Sequence, residues 1–88
     1  MRERDIEAHL VQRVKALGGE IRKLRWIGRR GAPDRVVMFP GGQLWWIELK
    51  RPGGTAEAHQ AREHARMLKM GQCVLVLDTI EKIDGVLA

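Results

Sequence analysis

The distribution of apolar residues along this 88-residue chain predicts an α/β fold: one compact domain, residues 1–88, with a mixed central sheet flanked by helices. Three observations carry that expectation. Ile6, Leu10, Val14 and Leu17 recur at spacings of four, four and three, a helical period. Two short apolar runs, Val36–Phe39 and Leu44–Leu49, flank Pro40-Gly41-Gly42 as the arms of a hairpin do. "QCVLVLD", residues 72–78, is continuously apolar, the pattern of a strand covered on both faces.

Taken in order, residues 3–17 form an amphipathic helix that ends at Gly18-Gly19, residues tolerant of positive φ. "EIRKLRW", residues 20–26, alternates imperfectly and reads as a strand, and "GRRGAP" as a loop. After the hairpin, "RPGGT" breaks the second arm and Thr55 caps a helix over about residues 56–70. Ala58, Ala61, Ala65 and Leu68 lie on one face of that helix, small enough to pack closely on a sheet. Gly71 lies just past its end, and Thr79 caps a last short helix through about residue 87.

Composition narrows the class. Hydrophobic content of 44% and charged content of 31% are ordinary for a soluble globular protein. No apolar run approaches the roughly 20 residues needed to span a bilayer, and the charged, periodic N-terminus does not resemble a signal peptide. Cys73 is alone, which excludes an internal disulfide and suggests a reducing compartment, with the cytoplasm as the default. The net charge of +5 is unevenly spread: Arg22, Lys23, Arg25, Arg29, Arg30 and Arg35 are opposed only by Asp34. Such a segment attracts polyanions, nucleic acid above all. Arg51 adds a further cation beside the second hairpin strand.

The hairpin places two carboxylates. Side chains alternate along a strand, so Leu44, Trp46, Glu48 and Lys50 share one face and Trp45, Ile47 and Leu49 the other. With a three-residue loop, Pro40 to Gly42, Phe39 opposes Gln43 and Asp34 opposes Glu48; a two-residue loop would oppose Asp34 and Leu49 instead. Opposed side chains have Cβ atoms about 4.5–5.5 Å apart, a separation at which two carboxylates repel unless a cation lies between them. Taken alone, Asp34 after Pro33 is a turn residue and Glu48 with Lys50 a surface ion pair. Their conjunction at hairpin-matched spacing favours a metal site instead. Hard oxygen donors without His or Cys neighbours suit Mg²⁺ or Mn²⁺. A cation held this way beside an ammonium suits phosphodiester hydrolysis.

Pro33-Asp34 entering one strand and Glu48-Leu49-Lys50 closing the next resemble the PD-(D/E)XK nuclease superfamily. With Glu7 on the first helix, Gly31-Ala32-Pro33-Asp34, and Gln60 on the following helix, the pattern resembles the VRR-NUC branch, the virus-type replication-repair nucleases, over nearly the whole chain. The resemblance implies a restriction-endonuclease-like core of order αβββαβ. It implies that Asp34, Glu48 and the backbone carbonyl of Leu49 ligate the metal, and that Lys50 positions or activates the attacking water. Gln60 would steady Lys50 or the water, and Glu7 would approach as a ligand to a second ion or through water. Relatives of this minimal length resemble stand-alone phage and bacterial nucleases that act as homodimers on four-way DNA junctions. That makes a Mg²⁺-dependent Holliday junction resolvase the expected function.

Two alternatives stay open: a nuclease for flaps or other branched DNA, and a non-catalytic basic nucleic-acid-binding module. "RPGGT" lacks the order of a phosphate-binding loop, which speaks against a nucleotide cofactor. His9, His59 and His64 show no metal-ligand arrangement, although His64 could reach DNA. Trp45 and Trp46 point to opposite faces, so one should pack inward and the other serve a subunit contact. The last helix, with Ile80, Ile83, Val86 and Leu87, is the other expected contact, since a small domain buries such a helix with difficulty.

Overall fold

A computed structural model describes residues 1–88 as α1 (Glu3–Ala16), β1 (Glu20–Lys23), β2 (Arg35–Met38), β3 (Leu44–Leu49), α2 (Ala58–Lys69), β4 (Cys73–Leu77) and α3 (Ile80–Val86). The four strands form one sheet in the order β1-β2-β3-β4. The first two pairings are antiparallel and β3 with β4 is parallel, so the sheet is mixed as expected. No helix is long and apolar enough to cross a membrane.

The hairpin register follows from its loop. The Phe39 N–H donates to the Gln43 carbonyl at 2.9 Å, and Val36 pairs with Trp46 and Arg35 with Ile47. This is the three-residue-loop register. Val37, Ile47, Leu49 and Leu77 on one sheet face join Ile6, Leu10 and Val14 of α1 and Ile83 and Leu87 at the chain's end in a single buried cluster. Burying each such side chain stabilises the fold by about 1.5–3 kcal/mol. Trp45 packs against this cluster, edge-on to Phe39 with ring centroids 4.9 Å apart. Trp46 faces the other way and donates its indole N–H to Gln72 Oε1.

Several elements depart from the sequence expectation. Leu17 is not a fourth core residue of the first helix; it stands at the C-cap, 48% exposed. β1 ends at Lys23 rather than Trp26: after one further ladder bond, from the Leu24 N–H to the Asp34 carbonyl, the chain leaves the sheet and Trp26 donates to Glu63 of α2 instead. The second helix starts at Ala58, not residue 56, with Glu57 in place of Thr55 at the cap. Its alanine face points outward: Ala58, Ala61, Ala65 and Leu68 are exposed, and Glu63, His64 and Met67 turn inward. β4 lies at the sheet edge and is not fully covered, leaving Val76 exposed. The last helix is better buried than expected, with Ile83 and Leu87 in the core and Val86 exposed. Thr79 caps it as expected, its Oγ1 accepting from the Lys82 N–H.

Candidate active site

The hairpin brings Asp34 to the end of β3. Arg35–Ile47 is the last paired position of the ladder, and Asp34 and Glu48 are the residues that follow it on the two strands. The Leu49 N–H donates to Asp34 Oδ2 at 3.0 Å, fixing that carboxylate against β3. In an extended strand a residue's N–H and C=O point to the same side, so the Leu49 carbonyl also turns toward Asp34. The Lys50 N–H points the other way, to the Leu77 carbonyl of β4. Buried Pro33 holds the entry to Asp34.

Glu48 is 2% exposed. Its Oε2 lies 3.3 Å from Lys50 Nζ and accepts from Gln60 Nε2 at 2.9 Å. Its Oε1 is buried with no hydrogen-bond partner in the protein. Burial and the neighbouring Asp34 carboxylate push the Glu48 pKa up to about 7, against the opposing pull of Lys50. A buried, unsatisfied carboxylate oxygen beside a second acid is the electrostatic signature of a cation site. No three His, Cys, Asp or Glu side chains gather closely enough to hold an ion alone. A cation here would therefore draw on Asp34, Glu48, the Leu49 carbonyl and water, an all-oxygen set suited to a hard divalent ion.

Other expected site residues stand at differing removes. Gln60 touches Glu48 directly and also accepts from the Glu57 N–H at 2.9 Å. Glu7 pairs with the Arg35 guanidinium rather than joining the two acids. Arg35 in turn donates from Nη1 to the Asp34 carbonyl at 2.9 Å. That places Glu7 beside the site through an arginine, and it occupies Arg35, whose side chain is only 14% exposed. Arg22, Lys23, Arg25, Arg29, Arg30 and Arg51 are exposed.

Two residues of α2 belong to the surroundings of the site although the sequence reading gave them no place in it. His64 follows Gln60 by one helical turn and is 6% exposed, with Nε2 unpartnered, so it lies inside rather than at a DNA-facing surface. Burial holds its pKa down and Lys50 adds to this, while the charges of Glu63 and Asp34 oppose it. Glu63 accepts from Trp26 Nε1 at 2.7 Å and from Arg66 Nε at 2.9 Å. Burial pulls the Glu63 carboxyl up, but hydrogen bonds from Arg66 and Trp26 and the charges of Arg29 and Arg66 outweigh it, leaving the pKa lowered. The i,i+4 step from Gln60 to His64 was the available signal for the histidine; nothing local pairs Trp26 with a residue so far along the chain.

Comparison with known proteins supplies the rest. No family profile matches the chain. It is 46% identical over 79 residues to "Putative nuclease p44" of Acyrthosiphon pisum secondary endosymbiont phage 1, covering 90% of this chain and 85% of that protein. A solved structure described as a VRR_NUC domain superposes with a TM-score of 0.90 at 38% identity, over 96% of this chain and 91% of the other. Fold and relatives together define a nuclease, a hydrolase acting on DNA. The chain belongs to the VRR-NUC family of the PD-(D/E)XK nucleases.

Proposed function

We propose that this nuclease is a Mg²⁺- or Mn²⁺-dependent endonuclease for branched DNA, acting as a homodimeric Holliday junction resolvase. The observation that carries the metal-dependent reading is the unpartnered Oε1 of buried Glu48 beside Asp34, with Lys50 Nζ 3.3 Å from the other Glu48 oxygen. When bound, a divalent cation supplies Lewis-acid stabilisation of the phosphoryl oxygens and eases deprotonation of the attacking water. Asp34, Glu48 and the Leu49 carbonyl would hold it. Lys50 orients the water or stabilises the charge developing at phosphorus. Gln60 fixes the Glu48 carboxylate, and Glu7 acts through Arg35 to hold the Asp34 backbone in place.

A four-way junction needs two matched cuts, and one domain carries one Asp34–Glu48–Lys50 site, so a two-fold dimer fits the symmetry of the substrate. An apolar hollow of about 370 Å³ at the end of α1 supports a contact there. It is lined by Leu17, Phe39, Trp45, Val86 and Leu87 among others, combining the strand and the helix that the sequence nominates.

The test is a panel of labelled junction, flap, splayed arm, duplex and single strand, each with Mg²⁺, Mn²⁺ or chelator. Metal-dependent paired cuts in the junction are expected, with cleavage lost and binding kept in Asp34→Asn, Glu48→Gln and Lys50→Ala. Sedimentation at low micromolar concentration should report a dimer. A monomer that nicks one strand and releases would refute the resolvase reading and leave the nuclease intact.

A further inference from the structure

The segment between β1 and β2 is a loop rooted at the candidate site, since the Leu24 N–H donates to the Asp34 carbonyl at 3.1 Å. Two anchors hold it against α2. Trp26 donates its indole N–H to Glu63 at 2.7 Å and packs edge-on to Trp46, with ring centroids 5.7 Å apart. Gly31, at φ +96°, approaches α2 so closely that a Cβ there would meet the His59 carbonyl oxygen at 2.7 Å and Glu63 Cβ at 2.8 Å. Between these anchors the chain arches outward through Gly28, at φ +80°, around whose Cβ position there is open space.

Ile27 stands on that arch and is 98% exposed, against 76% for Met70, the next most exposed large apolar residue. A lone exposed apolar side chain ordinarily needs no explanation. Placement distinguishes this one: both flanks of the loop are docked, its base is Asp34, and Arg25, Arg29 and Arg30 surround it in sequence. Arg25 and Arg30 pair with no carboxylate, and Arg29 reaches Glu63 only at 3.8 Å. Cations free to take phosphates thus flank an apolar group presented to solvent at full extension.

We propose that Ile27 is a wedge that packs against the exposed base face at a DNA branch point, with the loop arginines on the flanking phosphates. This rests on the branched-DNA reading and deepens it. Apolar side chains inserted between base steps must unstack them, which continuous duplex resists. At a branch the stacking is already interrupted, so the same contact is made without that cost. Ile27 therefore selects branched over linear DNA, while the arginines bind both alike.

The test compares Ile27→Ser and Ile27→Phe with the wild-type protein in chelator, so that no strand is cut. Affinity is measured for a four-way junction and for a linear duplex of the same sequence, and a 2-aminopurine base at the branch reports stacking. Ile27→Ser should weaken junction binding about tenfold, the scale of losing one buried aliphatic side chain. Its duplex affinity should stay within about twofold, since phosphate contacts carry that binding. The branch fluorescence change should vanish with Ser and persist with Phe. Wild-type protein that prefers the junction, with the preference unchanged in Ile27→Ser, overturns the wedge alone. Wild-type protein binding both DNAs equally overturns the branched-DNA reading and the wedge with it.

Discussion

Gln60 ties the start of α2 to β3, its Nε2 donating to Glu48 Oε2 and its Oε1 accepting from the Glu57 N–H, both at 2.9 Å. Only a side chain that carries donor and acceptor on one planar group can do both. Gln60→Ala should leave Glu48 held by Lys50 alone and lower metal affinity or turnover by about 10–100-fold. Gln60→Glu should be worse, because it sets a second carboxylate against Glu48. Metal titrations of single-turnover cleavage check this, and unchanged metal dependence in Gln60→Ala would mean that the amide does not position Glu48.

Glu48 should make the metal-free protein sensitive to pH. Its pKa is raised from 4.5 to about 7, so the folded state retains this proton at a pH where the unfolded chain has lost it. The stability tied to Glu48 is complete below about pH 4.5 and disappears as pH rises through about 7. Glu48→Gln removes that titration. Compared with wild type in chelator, the variant should gain relative stability between pH 5 and pH 8, while cleavage falls by about 10³-fold or more. Denaturant midpoints at the two pH values measure the first effect. The cation requires the ionised carboxylate, so metal binding by wild type below pH 7 should release a proton.

Much of this site was legible because the signals lie close together in sequence. A three-residue turn sets the register that brings Asp34 beside Glu48, and strand alternation puts Glu48 and Lys50 on one face. The second helix misled because its inward residues are polar. Glu63 and His64 look like solvent-facing residues in the sequence, whereas Ala58, Ala61 and Ala65 look like a packing face. The helix covers the side of the sheet that carries Glu48 and Lys50, where charged partners rather than small apolar ones are satisfied. The early end of β1 was hidden for a related reason: Trp26 leaves the sheet to reach Glu63, 37 residues further on, and no local pattern announces that partner.

Gly31 separates backbone freedom from close packing. Its φ of +96° and the 2.7 Å approach to the His59 carbonyl both forbid a side chain. Gly31→Ala should lower stability by about 1–3 kcal/mol from the backbone alone, and by more from the clash. It should also slow cleavage, because Asp34 follows three residues later. Gly28→Ala is the control: φ is +80° but the space is open, so only the left-handed penalty of about 1–2 kcal/mol applies. Urea midpoints of the two variants test the difference. Equal losses would mean that the loop relaxes away from α2.

The loop arginines should set the salt dependence of DNA binding. Each phosphate neutralised releases counterions, with a slope of about −0.9 in log affinity against log salt per contact. Replacing both Arg29 and Arg30 by Gln should weaken binding at low salt and make the slope shallower by about two. Glu63 does not prevent this: it already binds Arg66 at 2.9 Å and Trp26 at 2.7 Å, and Arg29 sits further out at 3.8 Å. Arg35 provides the contrast. Its guanidinium is committed to Glu7 and to the Asp34 carbonyl and is largely enclosed. Arg35→Gln should therefore lower the unfolding midpoint and leave the salt slope nearly unchanged, because it frees Glu7 without removing a phosphate contact. A slope that responds to Arg35→Gln and not to the Arg29 and Arg30 pair would put the DNA over α1 instead of over the loop, and would remove Ile27 from the branch point as well.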